Sequence, residues 1–211
     1  MKLQLALDDL SLDAAVTLLE GLSDYVDIIE IGTPFLLECG MEAVRAMKRR
    51  FPDKELLCDA KIMDGGRTEA TYAFRAGADY VTVLGVADEA TVRAVVETAK
   101  AWQRQVVVDL LCVEDFEQSL PALEALGADI VAVHVGIDQQ LSGRTPLQDL
   151  IQIKSIAGRA HVSVAGGVNA ATLSQYLAHR PDIVVVGGAI VWAANPAAEA
   201  KNIYNQIQRA R

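Results

Sequence analysis

The segment Asp59-Ala60-Lys61-Ile62-Met63-Asp64 carries two carboxylates and an ammonium within six residues. Two positions apart on an extended strand, Asp59 and Lys61 project to the same side. Asp64 follows in a loop entering a helix. One reading is an acid–lysine–acid array that keeps Lys61 charged for chemistry; the other is a structural salt bridge with Asp64 as a helix cap. Glu30 interrupts the apolar stretch Ile28-Ile29-Glu30-Ile31. A glutamate buried there needs a partner, because an uncompensated interior charge is strongly destabilising. Either Lys61 neutralises it, or Glu30 and Asp59 form a two-carboxylate Mg²⁺ site completed by water and substrate oxygens.

Further chemistry-bearing residues end other apolar runs. Asp8 and Asp109 close two of them, and His134 closes a third, where an imidazole can exchange protons with a substrate hydroxyl or enediolate. The pairs Gly166-Gly167 and Gly187-Gly188 close the last two runs. Backbone N–H groups exposed at such turns bind a phosphate dianion without lysine or arginine. Arg144 lies in a loop and is expected at the surface rather than in a site. His161 and His179, at a strand start and a helix end, are expected to be structural, and Cys58 and Cys112 to be small packing residues.

The elements that must position these groups are short Val/Ile/Leu runs: Leu3–Leu7, Asp27–Ile31, Glu55–Cys58, Tyr80–Leu84, Val106–Leu110, Ile130–Val135, His161–Val164 and Ile183–Val186. Near-continuous apolar runs of this length suit parallel strands covered on both faces. Amphipathic stretches alternate with them, opened by Ser11, by Thr33-Pro34 and by Asn169. Eight strands and eight helices at about 26 residues per unit predict a single (β/α)8 TIM barrel spanning residues 1–211. An open doubly wound sheet is the alternative, since periodicity does not reveal closure. A repeat favours closure. Asp27, Asp79, Asp129 and Asp182 each open a similar run, 52, 50 and 53 residues apart, and Asp8, Asp59 and Asp109 end the intervening ones. Active sites of such barrels gather at the C-terminal strand ends, where the charged residues fall.

Composition excludes other classes. A net charge of -9 argues against a duplex nucleic-acid partner, which needs a positive footprint. No run of about 18 apolar residues occurs, so no membrane span is expected. The N-terminus turns acidic at Asp8 before a signal-peptide core could form, and three widely spaced cysteines suggest neither disulfides nor zinc. A cytoplasmic protein is expected.

Asp59-Ala60-Lys61-Ile62-Met63-Asp64 matches the DxKxxD motif of the orotidine 5′-monophosphate decarboxylase suprafamily. Taken with Glu30-Ile31-Gly32-Thr33-Pro34, Thr82-Val83-Leu84-Gly85, the segment from Val133 to Gln140 and Val164-Ala165-Gly166-Gly167, the chain resembles the 3-hexulose-6-phosphate synthase family from Leu3 to Pro196. The sister family, 3-keto-L-gulonate-6-phosphate decarboxylase, is expected to carry an arginine three residues after the histidine and a threonine before its first glycine pair. It is further expected to end strand five in glutamate and to place an arginine in the final phosphate loop. Here those positions hold Ile137, Ala165, Asp109 and Gly188.

The resemblance implies an aldolase-type lyase interconverting D-arabino-3-hexulose 6-phosphate with D-ribulose 5-phosphate and formaldehyde. It implies Mg²⁺ on Glu30 and Asp59, with Lys61 as a second positive charge. His134 would transfer protons, Asp8 and Asp109 would orient hydroxyls or the lysine, and the two glycine pairs would hold phosphate. It also implies a homodimer in which Asp64 reaches the partner's site. Two other classes stand against it: a noncatalytic sugar-phosphate-binding barrel, which has no need of Glu30, Asp59 and Lys61 together, and a Schiff-base aldolase, which needs Lys61 neutral.

Overall fold

In a computed structural model describing residues 1–211, eight parallel strands pair in sequence order and close on themselves. They are β1 (Lys2–Leu7), β2 (Ile28–Ile31), β3 (Glu55–Ile62), β4 (Tyr80–Leu84), β5 (Gln105–Asp109), β6 (Ile130–His134), β7 (His161–Ala165) and β8 (Ile183–Val186). The β1–β8 ladder, running from Lys2 opposite Ile183 to Leu5 opposite Val186, makes the fold a (β/α)8 barrel and excludes the open sheet.

Eleven helices surround the barrel, not eight: α1 (Leu12–Leu22), α2 (Thr33–Cys39), α3 (Met41–Arg50), α4 (Gly66–Ala76), α5 (Glu89–Trp102), α6 (Phe116–Leu126), α7 (Ile137–Gln140), α8 (Leu147–Ile156), α9 (Leu173–Leu177), α10 (Gly188–Val191) and α11 (Pro196–Arg209). The extra ones split the connections after β2, β6 and β8. Ser11 caps α1 by accepting the Ala14 N–H at 3.3 Å, and Gly32 precedes a proline-opened α2. Asn169 does not start a helix. Its carboxamide oxygen accepts from Ala171 and Thr172 in a local turn, and α9 begins only at Leu173.

Alternation along each strand sorts side chains into two cores. Leu3, Leu5, Ile29, Ile31, Val81 and Val83 face the helices, whereas Ile28, Leu57, Tyr80, Val107, Ile130 and Ile183 fill the barrel interior. Burying each such aliphatic side chain contributes about 1.5–3 kcal/mol. The aspartate repeat has a physical cause. The carboxylates of Asp27, Asp79, Asp129 and Asp182 accept the N–H of Leu3, Leu56, Val106 and Val162 at 2.8, 2.9, 2.9 and 2.8 Å. Each aspartate thereby pins the start of the preceding odd-numbered strand, which leaves the opposite strand ends free for function.

Candidate active site

A cleft of about 780 Å³ opens at the C-terminal strand ends, lined by Asp8, Glu30, Asp59, Lys61, Asp109 and His134 together with all four glycines of the two pairs. Ten of the eleven expected site residues therefore converge. Asp64 is the exception: it is exposed and does not line the cleft of its own chain. It is not the cap of α4 either, because Gly65, with φ of +64°, occupies that position and the Asp64 carboxylate accepts the Gly65 N–H at 2.7 Å. Arg144 pairs with Asp149 at 3.0 Å and stays outside the cleft, as expected of a surface residue.

The centre of the site is a break in β3. This strand runs past Cys58 to Ile62, and its register against β4 shifts between those two residues. Inside the shift, Lys61 takes φ of +44°, a left-handed conformation that is uncommon outside glycine. Asp59 and Lys61 still meet on one side, Nζ to Oδ2 at 2.5 Å. Lys61 also lies 3.5 Å from Asp109, whose Oδ2 is 2.8 Å from His134 Nδ1. A continuous line of charge thus runs Asp59–Lys61–Asp109–His134.

Electrostatics fixes the charge of Lys61 and Asp109 within this line. Burial alone would lower the Lys61 ammonium, but the Asp59 and Asp109 carboxylates outweigh it and hold the group above its ordinary value. Burial works against the Asp109 carboxylate, yet the His134 hydrogen bond and charge, Lys61 and the Leu111 N–H together keep it below its ordinary value. An ionised Asp109 accepts a hydrogen bond from His134 Nδ1–H, which leaves Nε2 as the ring nitrogen available to the cleft. Burial and then the Asp59 charge push Glu30 up to about 8, with Gln4 Nε2 donating to it at 2.7 Å. Asp8 is likewise raised, by burial first and by Asp59 second.

Three neutral residues that the sequence reading missed complete the site. Gln4 holds Glu30, Thr33 donates to Asp59, and Thr82 bridges Asp59 Oδ1 and the Lys61 N–H. Strand four is therefore not chemically silent, although its end, Leu84-Gly85, is apolar. The available signal was alternation: Thr82 shares the inward face of Tyr80, and Gln4 breaks an apolar run as Glu30 does. Cys58 is buried as expected, its thiol pushed up to about 12 by burial and the adjacent Asp59. Cys112 is not a packing residue: it is exposed at the cleft rim with φ of +64°. The N-terminal end of β7 holds His161, which is exposed and pairs with Asp182 at 3.2 Å, far from this chemistry in the fold.

The glycine turns form the opposite wall. Gly166 and Gly167 take φ of +118° and +70°, and a Cβ on Gly166 would sit 2.6 Å from the Val135 carbonyl oxygen. Gly187 is different, with φ of -113° and no neighbour nearer than 3.4 Å to an added Cβ. The N–H groups of Gly166, Gly167 and Gly187 have no backbone acceptor, so the wall offers unpaired donors to an anion.

Residues 1–203 match the orotidine 5′-phosphate decarboxylase / HUMPS family. The chain belongs to that family. Within it, the chain is 48% identical to a solved 3-hexulose-6-phosphate synthase from Salmonella typhimurium, with a TM-score of 0.99 and full coverage of both chains. It is 40% identical to the 3-hexulose-6-phosphate synthase of Bacillus subtilis over 98% of this chain and 99% of that one. A solved 3-keto-L-gulonate-6-phosphate decarboxylase from Vibrio cholerae superposes with a TM-score of 0.87 at 28% identity, covering 100% of this chain and 98% of that one. The barrel is common to both solved structures.

Proposed function

We propose that this protein is a 3-hexulose-6-phosphate synthase, joining D-ribulose 5-phosphate and formaldehyde into D-arabino-3-hexulose 6-phosphate and catalysing the reverse cleavage. The observation that carries the reading is full-length similarity to proteins of that name. Ile137, Ala165, Asp109 and Gly188, at positions where the resemblance leads one to expect other residues in the sister family, support it. His134 Nε2 takes the proton from carbon 1 of ribulose 5-phosphate. The resulting enediolate carbon attacks formaldehyde, one carbon–carbon bond forms, and the new alkoxide takes up a proton. Lys61, fixed as an ammonium, offsets the negative charge of the enediolate. Asp109 orients the imidazole, and Asp8 orients substrate hydroxyls. The amides of Gly166, Gly167, Gly187 and Gly188 hold the phosphate, and its binding energy positions the distant reacting carbon.

Mg²⁺ fits Glu30 and Asp59. Both offer hard oxygen donors, and Glu30 is a buried carboxyl that a neighbouring cation would return to its charged form. Two acids would leave most ligand positions to water and substrate oxygens, as Mg²⁺ prefers. Bound there, the ion supplies positive charge beside the substrate oxygens on which the enediolate charge develops.

The reading includes a homodimer in which Asp64 serves the partner's cleft. Met63, exposed beside Asp64 in the sequence, supports an apolar contact there. No helix is long and apolar enough to cross a membrane, and three free cysteines suit a reducing compartment, which supports the cytoplasm. The Schiff-base route is disfavoured by a Lys61 held charged. Incubating the protein with ribulose 5-phosphate, ¹³C-formaldehyde and Mg²⁺ tests the proposal: a labelled hydroxymethyl carbon in a six-carbon phosphate is expected. Borohydride trapping of a substrate–Lys61 adduct would instead favour the Schiff-base class.

A further inference from the structure

We propose that Thr82 is a positioning residue, whose hydroxyl sets the geometry of Lys61 against Asp59. The inference rests on the lyase reading of the cleft. Thr82 is buried on the inward face of β4. Its hydroxyl oxygen accepts the Lys61 backbone N–H at 2.8 Å, and its proton is donated to Asp59 Oδ1 at 2.8 Å. The other oxygen of the same carboxylate receives the Lys61 ammonium. Backbone and side chain of Lys61 are therefore tied to one carboxylate through a closed ring of three hydrogen bonds.

The ring answers a need created by the break in β3. A lysine at φ of +44° persists only where its surroundings over-determine it, because most other backbone conformations are easier. The register shift places Lys61 between the paired positions Cys58 and Ile62, and the hydroxyl supplies an acceptor for its N–H there. A β-branched side chain suits the task, since χ1 of threonine is stiff. Thr33 also donates to Asp59, at 3.0 Å, but does not touch the Lys61 backbone. Without the Thr82 hydroxyl, the Lys61 N–H and Asp59 Oδ1 lose their partner. The lysine backbone is then free to relax, and the ammonium moves relative to Asp109 and His134. Phosphate binding, which belongs to the loops after β7 and β8, is untouched.

Thr82→Val removes the hydroxyl at nearly constant shape, and Thr82→Ser retains it. For Thr82→Val the expected result is a fall in kcat of about 100-fold, the scale of a misplaced reacting group, with KM for ribulose 5-phosphate within about threefold. Hydrogen exchange at the single Lys61 amide, followed by NMR, should become faster by about tenfold or more. Thr82→Ser should stay within about fivefold of wild type in kcat and keep the amide protected. The proposal is overturned if Thr82→Val keeps wild-type kcat, if the serine variant falls as far as the valine variant, if KM rises in step with the loss of kcat, or if the valine variant does not fold. Wild type that consumes no formaldehyde would contradict the lyase reading instead, and the Lys61 exchange rates would then decide the role of Thr82 alone.

Discussion

At the scale of single residues, charge is placed where the barrel makes charge costly. Glu30 and Asp59 would not tolerate each other's company without a cation or a proton. We predict that Glu30→Gln and Asp59→Asn each lose at least about 100-fold in Mg²⁺-dependent turnover, as expected when a formal charge leaves a metal site, with circular dichroism unchanged. Near wild-type turnover by either variant would remove the metal assignment. Linkage gives a second test. The Glu30 carboxyl is raised from an ordinary 4.5 to about 8, so its contribution to stability is full below 4.5 and is lost as pH rises through about 8. Chelator-treated protein should therefore lose Tm over that interval, Mg²⁺ should restore it, and Glu30→Gln should flatten the pH dependence. A Tm that Mg²⁺ does not change at pH 8 would count against the site.

At the scale of elements, the glycine turns make different demands. Gly166→Ala meets both a strained φ and the Val135 carbonyl, so it should destabilise the protein by about 1–3 kcal/mol. Gly187→Ala meets nothing closer than 3.4 Å and should leave Tm nearly unchanged, and thermal melts of the two variants distinguish them. Strand positions were legible in the sequence because parallel strands buried on both faces must be continuously apolar. Closure was legible too, through aspartates that repeat because each pins a strand start. Asp59 and Lys61 were legible as strand neighbours on one side, but the register shift of β3 and the left-handed Lys61 were not, since a shift leaves no periodic trace. The charged members of the site stood out for the same reason: an acid in an apolar run needs explaining. Thr82, Thr33 and Gln4 did not, because a neutral hydroxyl or amide in a strand is ordinary until the register shows what it touches.

At the scale of the whole molecule, the barrel is shared with solved proteins of both sister families, and the proposed reading places the choice between their chemistries at the rim of the cleft. Ile137, 74% exposed at the start of α7, presents a side chain that neither orders water nor carries charge. In the proposed reaction, keeping water from the enediolate would protect it from simple protonation until formaldehyde arrives. We predict that Ile137→Arg lowers synthase activity and, in direction, raises decarboxylation of 3-keto-L-gulonate 6-phosphate, with both reactions assayed on the same preparations. The most direct test of the account is the ratio of kcat/KM in the wild-type protein for formaldehyde condensation with ribulose 5-phosphate to that for CO₂ release from 3-keto-L-gulonate 6-phosphate, both with Mg²⁺. Condensation is expected to dominate; faster decarboxylation than condensation would contradict the synthase reading.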